Sequence, residues 1–363
     1  MQTTIISEAR RIQNGSAPPF STDCVCAIPS FLPDLGISTG SWGQEDCLFL
    51  NVRVPEGVKK GDNVPVLHYV HGSGYVYGSK DFEGVALDGT GLYENLSPSS
   101  QKFIYVASNY RMGWSSSPSE DMDANIGLHD TKAALDWTRK YISNFGGDPD
   151  RITAMGTSAE AAMIDFLLVA KAGHGIVPFN QVCIHVIALY PASLRPHPKQ
   201  VVFDEVLRAA NCTSVTCLRG ASQEVLFKAN SFLITDVGDG STGALGPLTG
   251  FTPVVDGKYI EDLPTALLAR GSYKRKVKRI IVANMTNEGM GTSLDVGMPD
   301  AFPALVRKTV PYADDSNTKR IQSMYKYPAN FPQKLSWDWA ADMSFACNAY
   351  FTVKAYKIKA QRY

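Results

Sequence analysis

Short apolar runs alternate with helical patterns along most of this chain. "PVLHYVHGSGYVYGS" begins with an apolar run, Val66 to Val70, and then breaks into glycines, which predicts a buried strand followed by a loop. "KFIYVASNYRMG" predicts a second strand ending in a turn. In "NIGLHDTKAALDWTRKYISNF" the positions Leu128, Ala133, Leu135, Trp137 and Ile142 carry helical spacing, and Gly146 and Gly147 lie just beyond it. Next comes a strand over Ile152 to Met155, a tight turn carrying Ser158, a helix over "AAMIDFLLVAKAG" and a strand in "VCIHVIALY". Much further on, "KRIIVANMTNEGMG" reads as a strand whose C-terminal end delivers Glu288. Alternation of this kind predicts an α/β fold with a mostly parallel central sheet and helices on both faces. No internal repeat, heptad or low-complexity tract interrupts it.

Composition supports a folded chain with a sizeable core: 44% of the 363 residues are hydrophobic and 19% are charged. With 35 basic and 35 acidic residues the formal charge is +0, so no overall field favours nucleic acid or an acidic membrane. The one basic cluster, Lys274 to Arg279 in "YKRKVKR", reads as a solvated loop leading into a strand, with a localisation signal as the other reading. No run approaches the ~20 apolar residues of a membrane span. At the N-terminus only Ile5 and Ile6 stand where a signal peptide needs a long apolar region, so the chain as written is expected to be cytoplasmic, or secreted if its natural start lies upstream. The seven cysteines pull the other way. Cys212 and Cys217 in "NCTSVTCLRG" can close a short loop, and Cys24 or Cys26 can pair with Cys47; such pairs persist mainly in oxidising compartments. Sequons at Asn14, Asn95, Asn211 and Asn284 become glycosylation sites only in a secreted chain, and Pro98 weakens the second of them.

The candidate chemistry centres on "FGGDPDRITAMGTSAEAAM". Its turn, Gly156-Thr157-Ser158-Ala159-Glu160, is close to the G-x-S-x-G elbow that exposes a serine nucleophile between a strand and a helix, with the second glycine replaced by glutamate. In open parallel sheets, sites gather beyond the carboxyl ends of the strands. Gly72 to Gly74, Ser158 and Glu288 are all expected there. The plainer readings are a helix N-cap for Ser158 and an exposed loop carboxylate for Glu288. No His/Cys cluster has metal-ligand spacing, "HGSG" lacks the lysine and spacing of a phosphate loop, and no cofactor is expected.

The stretches "EDCLFLNVRVPEG", "VHGSGYVYGS", "ASNYRMG", "NIGLHDTKAALDWTRKYISNFGGDPDRITAMGTSA", "FTPVVDGKYIEDLP" and "IIVANMTNEG" resemble, in order, the type B carboxylesterase/lipase family, the cholinesterase-like branch of the α/β-hydrolases. The resemblance implies one α/β-hydrolase domain over residues 1–363, shortened relative to the family and incomplete at both edges of its sheet. It implies cleavage of small carboxylic esters or lactones, with Ser158 as nucleophile and Glu288 as the acid that orients a histidine. The oxyanion donors would be the N–H groups of Ser73, Gly74 and Ala159. Tyr75, Tyr77 and Trp114 are candidates for an aromatic pocket.

Departures from the family pattern set the expected activity. Glu160 replaces a glycine that lets helix and strand approach, and its charge would oppose an oxyanion unless the side chain points to solvent. Ser73 interrupts the glycine run of the oxyanion loop; if that position needs positive φ, one donor is lost, a cost of roughly 10²–10³ in rate. Thr157 replaces the glutamate that usually precedes the nucleophile. The family's histidine comes from beyond the segment that "DWAADMSFACNAYFTVKAYKIKAQRY" resembles. His68 and His185 read as core residues in strands, His129 lies in a predicted helix, His174 near a helix end, and His71 belongs to the oxyanion loop. That leaves His197 in "YPASLRPHPKQ" as the substitute base, against the reading of an exposed loop histidine. Removing the histidine of such a triad costs on the order of 10⁶ in turnover, leaving about 10³–10⁴ over water. The chain as written is therefore expected to be a weak or inactive esterase. Alternatives are a catalytically dead member kept for binding, or a pathway protein using the pocket for lactone or cyclisation chemistry.

Overall fold

The computed structural model describes residues 23–27, 41–72, 74–81, 89–97, 102–113, 122–190, 196–235, 251–289, 302–310, 312–328, 330–357 and 360–362, without the side chains of 41, 196–199, 308 and 360–362. A short antiparallel pair, β1 (Cys26–Ala27) and β2 (Ser41–Trp42), stands apart from the main sheet. Among the described residues the main sheet has seven strands, β3 (Leu50–Arg53), β4 (Val64–Val70), β5 (Ile104–Ser108), β6 (Gly147–Thr157), β7 (Gln181–His185), β8 (Arg279–Ala283) and β9 (Ala360–Arg362). Their spatial order is β3-β5-β4-β6-β7-β8-β9; β3 runs antiparallel to β5, and every other pairing is parallel. The expected mostly parallel sheet is present, and the C-terminal "KAYKIKAQRY" supplies its last described strand.

Period-two alternation decides which side of each strand meets the helices. In β6, Ile152, Ala154 and Gly156 are buried while Thr153, Met155 and Thr157 are only partly so. Helices Ile126–Tyr141, Ala159–Val169, Pro264–Arg270 and Cys347–Tyr356 contribute to the main core on the first side. The helix Ala159–Val169 is buried at every position, which fits its apolar sequence on all sides. On the other side, Tyr69, Tyr105 and Ala107 cluster with Tyr93 of the short helix Thr90–Glu94. The predicted helix stop is observed after one 3-10 turn, where Gly146 takes φ 91, and Gly147 then opens β6. Phe302, Leu305, Val306, Leu335 and Trp339 form a separate, smaller cluster.

His68 is the buried histidine expected from its strand. Its ring is satisfied by Thr138 Oγ1 at 2.9 Å and Ser108 Oγ at 3.0 Å. Burial lowers its pKa to about 3, so it is neutral. His185 departs from that expectation: it is only partly buried, because it lies on the less covered side of β7, with Nε2 3.6 Å from Cys183 Sγ.

The disulfides are Cys24–Cys47 and Cys212–Cys217. Cys26, a candidate partner for Cys47, is a buried free thiol instead. The reason is register: Cys26 is fixed opposite Trp42 in the β1–β2 pair, whereas Cys24 bridges to Gln44 and so comes within 4.8 Å, Cα to Cα, of Cys47. Cys183 and Cys347 also stand outside the disulfides, consistent with the odd count. Among the described residues no helix is long and apolar enough to cross a membrane.

Candidate active site

β6 ends at Thr157, the helix begins at Ala159, and Ser158 is the single residue between them. Its backbone sits at φ 65, ψ −123, a region that non-glycine residues occupy at a cost of roughly 1–3 kcal/mol. Three bonds hold it there: its N–H donates to His185 O at 2.9 Å, and its carbonyl accepts from Ala162 N and Ala188 N, both at 3.2 Å. The hydroxyl makes no capping bond, so the N-cap explanation of this serine does not describe it. Gly156 is required by the same bend. A Cβ there would lie 2.9 Å from the backbone carbon of Glu160 and 3.0 Å from Ala161 N.

Glu160 does not point to solvent. It is 0% exposed, and its Oε1 accepts a hydrogen bond from the Tyr110 hydroxyl. Burial holds this carboxyl well above the usual carboxylate range, against the smaller opposing effect of the Tyr110 bond. Tyr110 itself is raised well above its ordinary value, by burial first and then by Glu160. Burial thus favours the protonated, uncharged form of Glu160, with the Tyr110 hydroxyl donating a hydrogen bond to it. The bulk of Glu160 is accommodated beneath the loop that follows β4: a Cβ on Gly72 would meet its Oε2 at 3.1 Å and Thr157 O at 3.4 Å. Glu160 Oε2 and His71 Nε2 are both buried with no hydrogen-bond partner among the described residues. The His71 ring stacks on Tyr110 at 4.6 Å, and burial lowers its pKa to about 4, so this histidine is neutral too.

The loop after β4 is held in place by close contacts. Gly74 has φ 64, and Tyr75 follows it with φ 68. Tyr75 is buried, its hydroxyl donates to Ala188 O at 3.2 Å, and its carbonyl accepts from Gly113 N at 2.8 Å. It serves packing rather than an open aromatic pocket. Ala159 is fully buried at the head of the helix. Ser73 and Trp114 lie outside the described residues, so the φ required at Ser73 is not described either.

Glu288 lies in the turn after β8, at the same carboxyl edge of the sheet as Ser158. β7 separates the two parent strands, which puts them two strand spacings apart, roughly 10 Å. Glu288 is partly buried; its carboxylate accepts from Met285 N at 2.6 Å and from Asn284 Nδ2 at 3.3 Å. Gly289 comes so close to the helix Gln333–Ala341 that a Cβ would meet Trp337 O at 1.7 Å, which anchors this turn. Three of the histidines are taken up by other contacts. His68 bonds as described, His71 Nδ1 lies 3.2 Å from Gly72 O, His129 packs its ring 4.4 Å from that of Tyr259, and His174 is an exposed residue at the opposite edge of the sheet. His197 lies in the helix Pro196–Ala209, not in a loop as expected, since Pro196 and Pro198 both fall in its first turn, where proline is tolerated; its side chain lies outside the described residues.

Two buried acids complete the setting, and the sequence reading missed the second. Asp165, in the middle of the apolar helix, accepts from Thr352 Oγ1 at 2.8 Å, and burial raises its pKa to about 7. An acid inside "AAMIDFLLVA" was a readable signal, but its partner lies 187 residues away in sequence. Tyr110, in "ASNYRMG", is a second contact that local sequence does not reveal, because Glu160 lies 50 residues further on. Among the described residues no group of His, Cys, Asp and Glu is arranged to hold a metal ion.

The model of the carboxylesterase family matches residues 13–359. Carboxylesterase patB of Aspergillus clavatus is 33% identical over 84% of this chain and 57% of its own length. The secreted triacylglycerol lipase LIP1 of Gibberella zeae is 32% identical over 68% of this chain and 43% of its own. The chain thus spans about half the length of the curated relatives it matches. Among solved structures, EstA of Aspergillus niger superposes with a TM-score of 0.73 at 21% identity, over 93% of this chain and 64% of that one, a likeness of fold. By its sequence match and its α/β-hydrolase fold, this chain belongs to the carboxylesterase family.

Proposed function

We propose that the chain carries an ester-hydrolysis site in which Ser158 is the nucleophile, Glu288 the orienting acid, and the N–H groups of Ala159, Gly74 and Ser73 the oxyanion donors. The observation that carries this reading is the backbone of Ser158 at φ 65, ψ −123, pinned by three hydrogen bonds while its hydroxyl makes no capping bond. Strain of this kind persists where the surroundings over-determine it, and it aims a hydroxyl away from the turn. Ser158 Oγ would add to the acyl carbon of a small carboxylic ester or lactone, pass its proton to a base, and release the alcohol once that oxygen is protonated. Water would then cleave the acyl-enzyme. Carboxylesterases and a lipase among the relatives support that substrate class.

The base is the weak link. His68, His71 and His129 are committed to packing or to other partners, and burial lowers the pKa of each. Turnover should therefore fall on the order of 10⁶ below that of a complete triad. Slow release of p-nitrophenol from short-chain p-nitrophenyl esters, abolished by Ser158→Ala, is the expected result. An identical rate in Ser158→Ala would refute the reading. If His197 serves as substitute base, His197→Ala should remove the same activity without altering the circular dichroism spectrum. Retained binding of an ester analogue without Ser158-dependent release would favour a non-catalytic role, which the engaged histidines also support.

A further inference from the structure

The basic run that begins at Lys274 does not simply project into solvent. Lys274 is only 6% exposed, and its ammonium donates to the carbonyl of His174. This contact joins the loop after helix Ala159–Val169 to the loop before β8, at the amino edge of the sheet and opposite to Ser158 and Glu288. The two loops meet backbone to backbone: a Cβ on Gly173 would lie 2.5 Å from Tyr273 N. Lys274 N–H donates to Leu168 O at 2.8 Å, and Lys171 N–H to Tyr259 O at 2.7 Å. Lys171 and Ala172 hold left-handed φ values of 55 and 47, which non-glycine residues rarely adopt.

Between the loops lies a cavity of about 560 Å³ whose wall brings Arg139, His174, Lys274, Arg275 and Lys276 together, with no carboxylate among its lining residues. An adjoining cavity of about 170 Å³ shares His174 to Val177 and Lys274 with the first and adds Lys132 and Lys171, again without an acid. Carboxylates outside the two linings include Asp150, 3.3 Å from Arg139, Asp136, paired with Lys132, and Asp256, close enough to Tyr259 to act on it. In a chain of formal charge +0, so many cations around one concave surface mark a local departure. Burial lowers the pKa of Lys274, and Lys171 and Lys132 lower it further; a bound anion would offset that penalty. Arg275 is steadied by the Tyr273 ring, 5.0 Å away, and by Gly271 O at 2.9 Å. The volume lies within the range of small-molecule sites, about 300–1,000 Å³. Ile176, 71% exposed, adds apolar surface to the wall.

We propose that this cavity binds the phosphate group of a small phosphorylated compound, at a site separate from Ser158. The proposal does not depend on ester hydrolysis. The same chemistry occurs on lipid headgroups, so the test has two arms: calorimetric titration with inorganic pyrophosphate, and co-sedimentation with phosphatidylcholine vesicles containing phosphatidic acid. Each uses the full chain, the site variant Arg275→Glu/Lys276→Glu, and the control Lys59→Glu/Lys60→Glu, which makes the same charge change at exposed positions elsewhere. The expected result is a pyrophosphate Kd raised at least about tenfold by the site variant and changed less than about twofold by the control, since close charges dominate over screened ones. Lys274→Met, checked for folding by circular dichroism, should weaken binding as well. Binding to vesicles alone, lost in the site variant, would assign the phosphate to a lipid. Binding in neither arm, or equal loss in both charge variants, would overturn the proposal.

Discussion

Replacing Glu160 by glutamine tests the physical state of the elbow. Glu160 is fully buried, bonded to Tyr110 and pressed against Gly72, and burial raises its pKa well above the carboxylate range. The folded chain therefore keeps a proton that the unfolded chain gives up above about pH 4.3. Because the native state binds more protons, stability falls as pH rises, by about 1.4 kcal/mol per pH unit for as long as Glu160 stays protonated. Glu160→Gln keeps the size and the acceptor for Tyr110 but has no proton to lose. The variant should gain on the parent steadily with pH, and over three pH units the limit is about 4 kcal/mol. The assay is urea unfolding from pH 5 to pH 8, followed by the fluorescence of the five tryptophans. Other titrating groups, including Asp165, are common to both proteins and cancel to first order in the difference. A difference independent of pH would mean that Glu160 is ionised in the native state, and the neutral-acid account would fail.

Other perturbations follow from the same contacts. Ser158→Gly relieves a positive φ and should raise stability by about 1 kcal/mol in denaturant melts while abolishing ester hydrolysis; a loss of stability would argue against strain at this turn. Gly156→Ala forces a Cβ within 2.9 Å of the Glu160 backbone and should lower stability by more than about 2 kcal/mol or prevent soluble expression. Asp165→Asn should flatten the loss of stability between pH 4 and 7, since burial raises this acid to about 7 and its stabilising protonated state is lost as pH climbs; an unchanged profile would contradict that. Removing Cys24–Cys47, which closes a sequence separation of 23, should cost about 3 kcal/mol, read as a shift in the urea midpoint of a double serine variant.

How much of this was legible in the sequence depended on range. Strands such as Val64–Val70 and Arg279–Ala283 and the helix Ile126–Tyr141 follow from local periodicity, and the glycines that end them mark real turns. The elbow was equally readable, because a strand, a glycine-bounded turn and a helix lie within one short stretch. What the chain did not disclose were contacts between distant segments. Whether Glu160 points to solvent or into the bend is left open by the sequence, because Tyr110, which covers it, lies 50 residues earlier. The choice between Cys24 and Cys26 depended on a β1–β2 register that spacing does not set. His185 lies in a strand, as read, yet on the side that the helices cover less. His197 looked like a loop residue because its two flanking prolines mask a helix start that tolerates them.

The central claim is that the hydroxyl at the β6–helix turn is a correctly held but poorly activated nucleophile. Prolonged incubation of the full chain with a fluorophosphonate, followed by peptide mass mapping, tests it most directly. A slow adduct confined to Ser158 and absent from Ser158→Ala is the result the account predicts. Rapid stoichiometric modification, or an adduct on a different residue, would contradict it.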